Sequence, residues 1–413
     1  MNNQVVYTKT AAYGGKYDVI IVGGGPAGSA AAIAAGRAGV KTLLIEQENC
    51  LGGMWTTGLL SPLFDAHNKT GIMQELVEDL QAKNAWGGFW EISYIQEYLK
   101  YFLEIKALDA GVTLLYETKY AGVNVENGHV NGVYVRNVEG DTYYEGTVVI
   151  DASGDAHLAA DAGAQWVMGD ENGKCQSMTL MFMVSGIPEK YRDGLVIYEL
   201  LEKAYARQGL GKHSPFKMPY LIPIPNTDYA TVQLTHMDGE VALNARARTL
   251  AIIEGRRQMI DVFEVLKGFD EDFRNLSLIL SAHQLGVRES RRVIGEYYIT
   301  EDDLIRGATF PDGITTATFN VDIHVPNSTE QKCMHVEPYE IPYRAMLPKG
   351  LHNVLVAGRC ISGSHIAMAS YRVTGNCCAM GEAAGKAAAY AVKNNTTIRN
   401  VPNEVVVLGT REN

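Results

Sequence analysis

The sequence predicts an α/β fold built on a parallel sheet, and residues 17–46 carry the three observations behind this prediction. The β-branched run Tyr17–Val22 is typical of a buried strand. Glycines in a G-x-G-x-x-G pattern follow it and open a segment of small residues of helical length. A second apolar strand then ends at Glu46. This order of strand, glycine turn, helix, strand and acid predicts a dinucleotide site.

Each position of this first unit has a chemical reason. Gly23 makes the tight turn, Gly25 lets the backbone approach a pyrophosphate, and Gly28 lets the helix pack closely on the sheet. The free N–H groups of the helix N-terminus point at the phosphates. Glu46 is expected to accept hydrogen bonds from a ribose.

Composition narrows the class of protein. The 413 residues suffice for two or three domains, and 47 acids against 36 bases give a net charge of −11. This charge argues against a nucleic-acid partner or an anionic membrane. No apolar run is long enough to span a bilayer, and the first residues lack the layout of a secretion signal. The six cysteines lack metal-site spacing, so we expect reduced thiols, no metal and a cytoplasmic enzyme.

The elements that follow alternate between helical and strand periodicity. Apolar spacing predicts helices over Gly71–Lys83 and Ile95–Ala110 and, in the middle of the chain, a long helix over Gly239–Leu266. The predicted strands are Val112–Tyr116, the meander Ala121–Glu126, His129–Asn137 and Thr142–Glu145, then Thr147–Ile150, Ser177–Ser185 and Thr231–His236.

The C-terminal region predicts a return to the first unit. Asn353–Gly358 reads as a strand running into a glycine turn, and Asn376–Lys393 as a helix. Gly381, Gly385 and Ala388 share one face of that helix, which allows close packing against a neighbour such as the first helix. The dinucleotide domain is therefore expected to be discontinuous, with a second lobe covering the cofactor.

Three separated segments resemble the FAD-dependent oxidoreductase family, related to succinate dehydrogenase/fumarate reductase flavoproteins, L-aspartate oxidase and tricarballylate-dehydrogenase-like proteins. They are VIIVGGGPAG…LLIE with LGGM, VVIDASGDAHLAADAGA (148–164) and NVLVAGRCISGSHIAMASYRVTGNCCAMGEAAGKAA (353–388). The resemblance implies a glutathione-reductase-like Rossmann FAD-binding domain over 1–62, 95–165 and 340–398. An inserted α+β substrate lobe would cover 63–94 and 166–339.

The resemblance implies non-covalent FAD and a set of residues around it. Asp155 would accept a hydrogen bond from a ribityl hydroxyl, although it also suits a helix N-cap before His157–Ala162. The helix starting at Asn376 would stabilise negative charge on the reduced ring. The full cofactor set is Gly23, Gly25, Pro26, Ala27, Gly28, Glu46, Gln47, Gly53, Met54, Tyr120, Gly154, Asp155, Gly358, Arg359, Asn376 and Cys377.

Four residues are candidates for chemistry on a substrate. His365 suits proton transfer, because its ordinary pKa is about 6.5. Arg372 suits a carboxylate clamp or the flavin carbonyls. Arg344, flanked by apolar residues, is expected to be buried with an anion or a carbonyl as its partner. Arg288 would lie with Arg292 on one face if this segment is helical. Each has a structural alternative, namely a hydrogen-bonded histidine or an ion-paired arginine.

The predicted activity is hydride transfer between flavin and a small, possibly anionic substrate. A flavin monooxygenase and a non-catalytic FAD-binding scaffold are the alternatives. Because no second G-x-G-x-x-G follows a strand, a separate NAD(P)H domain is not expected, and electrons would come from substrate or a protein partner. Asp65 and His67 are weaker candidates near the flavin, His67 for covalent attachment, while Cys377 and Cys378 are expected to be buried structural thiols.

Overall fold

A computed structural model of the chain describes residues 8–191, 198–209, 214–238, 243–268 and 271–410. Within these ranges the helices are α1 (Pro26–Arg37), α2 (Gly71–Ala82), α3 (Gln96–Asp109), α4 (His157–Asp161), α5 (Tyr198–Arg207), α6 (Ala245–Lys267), α7 (Glu301–Ile305), α8 (His365–Tyr371), α9 (Thr374–Lys393) and α10 (Asn403–Val406).

The strands of the same ranges are β1 (Ala12–Val22), β2 (Thr42–Ile45), β3 (Trp86–Gly87), β4 (Ser93–Tyr94), β5 (Thr113–Leu115), β6 (Lys119–Glu126), β7 (His129–Asn137), β8 (Gly140–Asp151), β9 (Trp166–Val167), β10 (Phe182–Ser185), β11 (Tyr220–Pro223), β12 (Tyr229–Gln233), β13 (Ser277–Ser281), β14 (Arg292–Val293), β15 (Gly313–Ala317), β16 (Val321–His324), β17 (Gln331–Met334), β18 (Tyr339–Pro342) and β19 (Val354–Val356).

The parallel sheet has β1 and β8 at its centre. β2 and then β5 pair on one side of β1, and β19 pairs with β8 on the other, all in parallel register. The segments Val19–Val22 and Thr42–Ile45 are fully buried, as expected for parallel strands covered on both faces. The carboxyl ends of β1, β2, β8 and β19 therefore meet at one edge, where ligands bind in open α/β sheets.

β8 belongs to both the parallel and the antiparallel part of one seven-stranded sheet. Its first half pairs antiparallel with β7, which pairs with β6, whereas its last three residues pair parallel with β19. The sequence predicted two strands here, Thr142–Glu145 and Thr147–Ile150, but β8 is continuous through Gly146. A Cβ on Gly146 would lie 2.8 Å from Cδ1 of Ile20, so the glycine lets β8 pass close to β1 without a break.

α9 returns the chain to α1. Gly381 lies over the carbonyl of Ala27 and Gly385 over that of Ala31, where added Cβ atoms would be 1.9 and 2.3 Å from these oxygens. The predicted packing of the two helices through small residues is therefore found. α9 begins at Thr374, two residues before the predicted start, and its second turn is fully buried.

The inserted lobe is built on a second sheet. Its strands run in the order β11-β12-β10-β13, all antiparallel, and α5 and α6 pack against them around a separate apolar core. The predicted strands Ser177–Ser185 and Thr231–His236 are shorter in the structure. Asn244 caps α6, its side chain accepting from the N–H of Ala247 at 3.0 Å; residues 239–242 of the predicted helix lie outside the described residues.

The main core extends beyond the predicted FAD-binding ranges. Ile72, Met73 and Leu76 of α2, which the sequence assigned to the lobe, pack into the same core as α1 and α9. The reason is Glu382 of α9, which accepts from the N–H of Ile72 at 2.8 Å and fixes the start of α2. In the described part of the chain, no helix combines the length and apolar character needed to cross a membrane.

Candidate active site

A cavity of about 690 Å³ runs from the carboxyl edge of the parallel sheet into the inserted lobe. All of the predicted cofactor residues line it except Gly28 and Asn376. Of the predicted catalytic residues, Arg288 and Arg372 line it, whereas His365 and Arg344 do not. The cavity is therefore the place to which most of the motif residues converge.

The glycine turn leaves room for a large group. Gly23 has φ +100°, and a Cβ there would lie 2.6 Å from the carbonyl of Ala152. Gly28 packs so tightly that a Cβ would lie 1.7 Å from the carbonyl of Gly23. Gly25, by contrast, faces open space, with no heavy atom within 4 Å of an added Cβ. A pyrophosphate fits beside Gly25, at the N-terminus of α1.

Glu46 lies at the end of β2 as predicted and is buried. Its Oε2 accepts from the N–H of Gly24 at 2.5 Å and its Oε1 from that of Glu48 at 2.8 Å. Burial raises the pKa of Glu46. The backbone bonds hold the carboxylate in place, and each oxygen keeps a lone pair with which it can accept from a ribose hydroxyl.

Asp155 is the centre of a cation cluster. Its Oδ1 accepts from Ser290 Oγ at 2.7 Å and Arg359 Nη2 at 2.8 Å, and its Oδ2 accepts from Arg248 Nη2 at 2.6 Å. Burial alone would raise the pKa of Asp155, but His157, the two arginines and Ser290 hold it well below its usual range. The expected bond to a ribityl hydroxyl competes with these partners. The cluster instead presents positive charge to the cavity.

The alternative role of Asp155 as a helix cap is wrong. Ala156 is the N-cap of α4 and makes no side-chain cap bond. Ser153 Oγ accepts from the N–H of His157 at 3.1 Å, and Asp151 accepts from the N–H of Ala159 at 2.9 Å. The first two polar residues of the DASGD turn therefore anchor the helix, which leaves Asp155 for the arginines.

The lobe end of the cavity carries two arginines and one carboxylate. Arg288 Nη1 donates to the carbonyl of Ser177 at 2.7 Å and to Thr179 Oγ1 at 2.8 Å. Arg372 Nη2 donates to the carbonyl of Asp322 at 2.9 Å and lies 3.6 Å from its carboxylate. Burial lowers the pKa of both arginines, and for Arg288 the charge of Arg372 lowers it further. Positive charge is in excess here.

Several predicted residues lie elsewhere. His365 Nδ1 contacts the buried carboxylate of Glu289 at 2.9 Å and is held away from the cavity. Arg344 is not buried: its side chain is 44% exposed and pairs with Asp312 at 2.9 Å. His67 packs edge-on against Trp86 and does not line the cavity, which gives covalent attachment there no support.

The segment around Arg288 is not helical, so the predicted shared face with Arg292 does not exist. Arg292 lies in β14, buried, and pairs with Glu289. The Asn376 amide is also buried, and neither its oxygen nor its nitrogen has a hydrogen-bond partner among the described residues. Asn376 is the third residue of α9, so Val373, Thr374 and Cys377 face the cavity in its place.

The cysteines fit the structural role predicted for them. Cys377 and Cys378 are both buried and free, and burial raises the pKa of the Cys377 thiol to about 12. A protonated thiol is a poor nucleophile.

Sequence reasoning missed Arg248 and Asp322. Arg248 belongs to α6 and Asp322 to β16, and neither lies in a recognisable motif. Their place at the cavity depends on how the lobe folds over the sheet. The sequence predicted a long helix over Gly239–Leu266, but not which end of it lies at the cavity.

Fold and cavity together define a flavin-nucleotide-binding α/β protein. The open space at Gly25 and the carboxylate of Glu46 at the cavity fit the pyrophosphate and adenosine parts of FAD, and the arginines around Asp155 add positive charge beside them. A family model described as FAD dependent oxidoreductase matches residues 18–408. The chain belongs to that family, and FAD is its cofactor; the predicted family, fold class and coenzyme are confirmed.

Individual relatives match more distantly. A thiamine thiazole synthase of Aeropyrum pernix is 37% identical over 120 residues, which is 29% of this chain and 43% of the synthase. The chain thus spans less than half the length of that curated relative. The match shows a likeness over that part of the chain alone.

Solved structures resemble the chain along nearly its whole length. A geranylgeranyl bacteriochlorophyll reductase-like protein of Thermoplasma acidophilum has a TM-score of 0.51 at 17% identity, covering 92% of this chain and 80% of that one. The myxobacterial halogenase CndH has a TM-score of 0.52 at 12% identity, covering 94% and 78%. At these identities the likeness shows the fold alone. Succinate dehydrogenase and L-aspartate oxidase, named from the motifs, are not among these similarities.

Proposed function

We propose that the protein is a dehydrogenase or reductase whose substrate is a small organic acid bound at the lobe end of the cavity. The observation that supports this most is the pair of buried arginines, Arg288 and Arg372, beside the single carboxylate Asp322. Asp322 is the one acidic residue among the described lining residues at this end. One positive charge is therefore left without a partner.

The free-energy cost of burying the two arginines favours the binding of an anion beside them. Uncompensated buried charge is costly, and the lowered pKa values of both arginines express that cost. Arg288 uses Nη1 for Ser177 and Thr179; among the described residues no acceptor bonds its Nε or Nη2. These two nitrogens form the fork that binds a carboxylate in bidentate fashion.

The rest of the cavity end suits an organic acid of limited size. Phe64, Phe319 and Met181 form its apolar wall, with the two rings 5.3 Å apart. They exclude water and pack against the carbon skeleton, while the arginines fix its orientation. When bound, FAD accepts or donates a hydride at the substrate carbon.

Three finer predictions belong to this proposal. Kinship with succinate dehydrogenase/fumarate reductase flavoproteins and L-aspartate oxidase is supported by an arginine pair that suits carboxylic acids. Electron exchange through the substrate or a protein partner is supported by the single G-x-G-x-x-G motif. A cytoplasmic location stays a prediction. His365 is not retained as the base, because Glu289 holds it outside the cavity lining.

The proposal is tested by anaerobic titration of the FAD-loaded protein with a panel of small mono- and dicarboxylic acids. We expect at least one acid to bleach the flavin absorbance. Arg288→Met should weaken its binding by about 30-fold or more, because a buried charge loses its partner. Arg344→Met is the matched control, since Arg344 lies outside the cavity, and it should bind the acid as the wild type does.

Two outcomes would contradict the proposal. One is a substrate without an acidic group whose binding is unchanged in Arg288→Met. The other is oxygen consumption with a hydroxylated product, which would indicate the monooxygenase alternative. A flavin that no organic acid reduces or reoxidises would favour the scaffold alternative.

A further inference from the structure

A histidine lies directly behind the carboxylate of the anion site. His324 is at the end of β16, two residues from Asp322, and it is buried with its ring against Phe216. Its Nε2 lies 3.3 Å from Oδ2 of Asp322. Asp322 lines the cavity, whereas His324 does not. Any influence of His324 on a ligand therefore passes through Asp322.

The other nitrogen of this ring has no partner. Nδ1 of His324 is buried without a hydrogen bond among the described residues, and so is Nε2 of His236, whose ring centre lies 5.8 Å away. In catalytic carboxylate–histidine pairs a third group fixes the tautomer. Here none does, so Nε2 of His324 is free either to donate to Asp322 or to accept a proton from it.

The charges around this pair come from several elements. The charged and titratable groups that act on Asp322 or His324 are Arg288, Arg372, His236, Tyr220 and Cys333. Gln331 donates to Oδ1 of Asp322 from the neighbouring strand. Among these groups, His324 lowers the pKa of Asp322 most, followed by Arg372 and Arg288, and Arg288 is the charge that lowers the pKa of His324 most. The arginines therefore disfavour an added proton on either member of the pair.

We propose that Asp322 accepts the proton which a bound organic acid loses during oxidation, and that His324 is the positioning residue that shares this proton. The inference rests on the proposed function. In this step the O–H or C–H bond of the substrate breaks and an O–H bond forms on Asp322. The electron pair of that broken bond forms a C=O or C=C bond in the substrate as the adjacent C–H bond gives up a hydride, for which FAD would be the oxidant. The proton on Asp322 is then shared with Nε2 of His324.

Substrate binding itself prepares the pair. Without an anion, burial and Arg288 lower the pKa of His324 to about 4. Burial alone would raise the pKa of Asp322, but His324, Arg372 and Arg288 hold it well below its usual range. An anion on Arg288 and Arg372 cancels part of this field, so the proton affinity of the pair rises. At any pH between the pKa of the pair without the anion and its higher pKa with the anion bound, anion binding must be accompanied by uptake of a proton from solvent.

The experiment measures that proton. The FAD-loaded protein is titrated with oxalate, a dianion over the whole range used, by calorimetry in two buffers of different ionisation enthalpy. At about pH 5.5 we expect uptake of roughly half a proton per oxalate, falling to near zero at about pH 8. His324→Gln and His324→Asn should both remove most of the uptake while still binding oxalate. His335→Gln, at an exposed histidine outside the cavity, should retain it.

The outcomes separate the two proposals. Oxalate binding with no uptake in the wild type, or with the same uptake in both His324 variants, would overturn the role of His324 and leave the anion site intact. Failure of oxalate to bind, or equal binding by Arg288→Met, would overturn the anion site and the inference with it. Visible absorbance of bound FAD reports whether each variant is folded.

Discussion

At the scale of single residues, two glycines of one motif have different tasks. Gly28 is needed by the protein itself, because a Cβ at this position would lie 1.7 Å from the carbonyl oxygen of Gly23. Gly25 is in open space and has an extended backbone that any residue can adopt. Its lack of a side chain matters only when a ligand is present. The motif predicted a packing task for Gly28, which the structure confirms, and a ligand-facing task for Gly25, which fits the open space beside it.

Alanine substitutions should separate these tasks. Gly28→Ala forces a Cβ into the Gly23 carbonyl and should lower the free energy of unfolding by about 1–3 kcal/mol, even without FAD. Gly25→Ala should leave the FAD-free protein within about 0.5 kcal/mol of the wild type. It should weaken FAD binding at least about 10-fold, since the methyl occupies the space for the pyrophosphate. Thermal unfolding and FAD titration measure the two effects; a stable Gly28→Ala protein would contradict the packing.

At the scale of elements, the contact between α1 and α9 joins the two ends of the chain. Small residues on both helices bring the backbones together, and Gly385 also lies against Ala34. Each helix N-terminus reaches the cavity, so their spacing sets the width of the cofactor site. We therefore expect this helix contact, made through glycines, to affect FAD affinity.

Widening this contact should show in both stability and cofactor binding. Gly381→Ala places a methyl 1.9 Å from the carbonyl of Ala27, so the helices must separate. We expect a loss of about 1–3 kcal/mol in unfolding free energy and faster FAD release. Lys386→Ala, on the exposed side of α9, removes an ion pair with Glu382 and should cost under about 1 kcal/mol. Similar melting of the two variants would argue against close helix packing.

At the scale of the whole molecule, the inserted lobe closes one side of the cavity through polar bridges. Arg248 of α6 reaches Asp155 at the sheet edge, and His283, just after β13, lies 2.9 Å from Glu48. The lobe also contributes Arg288 and the apolar wall residue Met181. Coenzyme and substrate regions are therefore completed only when lobe and sheet are together.

Removing one bridge should loosen the lobe without unfolding it. The substitution Arg248→Gln removes the ion pair with Asp155, which is also a contact between α6 and the edge of the parallel sheet. We therefore expect FAD to dissociate several-fold faster. Stopped-flow displacement of FAD measures this rate. Arg257→Gln is the matched control on the same helix, since Arg257 is largely exposed and makes only a weak pair with Glu254. If both variants release FAD at the same rate, the bridge has no part in holding the coenzyme.

Short sequence patterns predicted more of the residues at the coenzyme end of the cavity than of those at its lobe end. The turn at Gly23–Gly28, Glu46 at the strand end and the small face of α9 follow from short-range chemistry, so they could be predicted. His365 and Arg344 could not be placed, because a polar side chain pairs with whichever group the fold brings near. Glu289 and Asp312, their partners, are 76 and 32 residues away.

By itself the sequence determined that the chain is a flavoprotein with a parallel sheet and a glycine turn, since backbone geometry at a phosphate leaves few choices of residue. Only the tertiary structure decided that Arg288 and Arg372 line the lobe end of the cavity beside Asp322, with His324 behind Asp322. The physical reason is the distance along the chain over which each role is determined. The need for a glycine depends on atoms close to it in the same turn, whereas the position of a buried charged side chain depends on partners from distant segments.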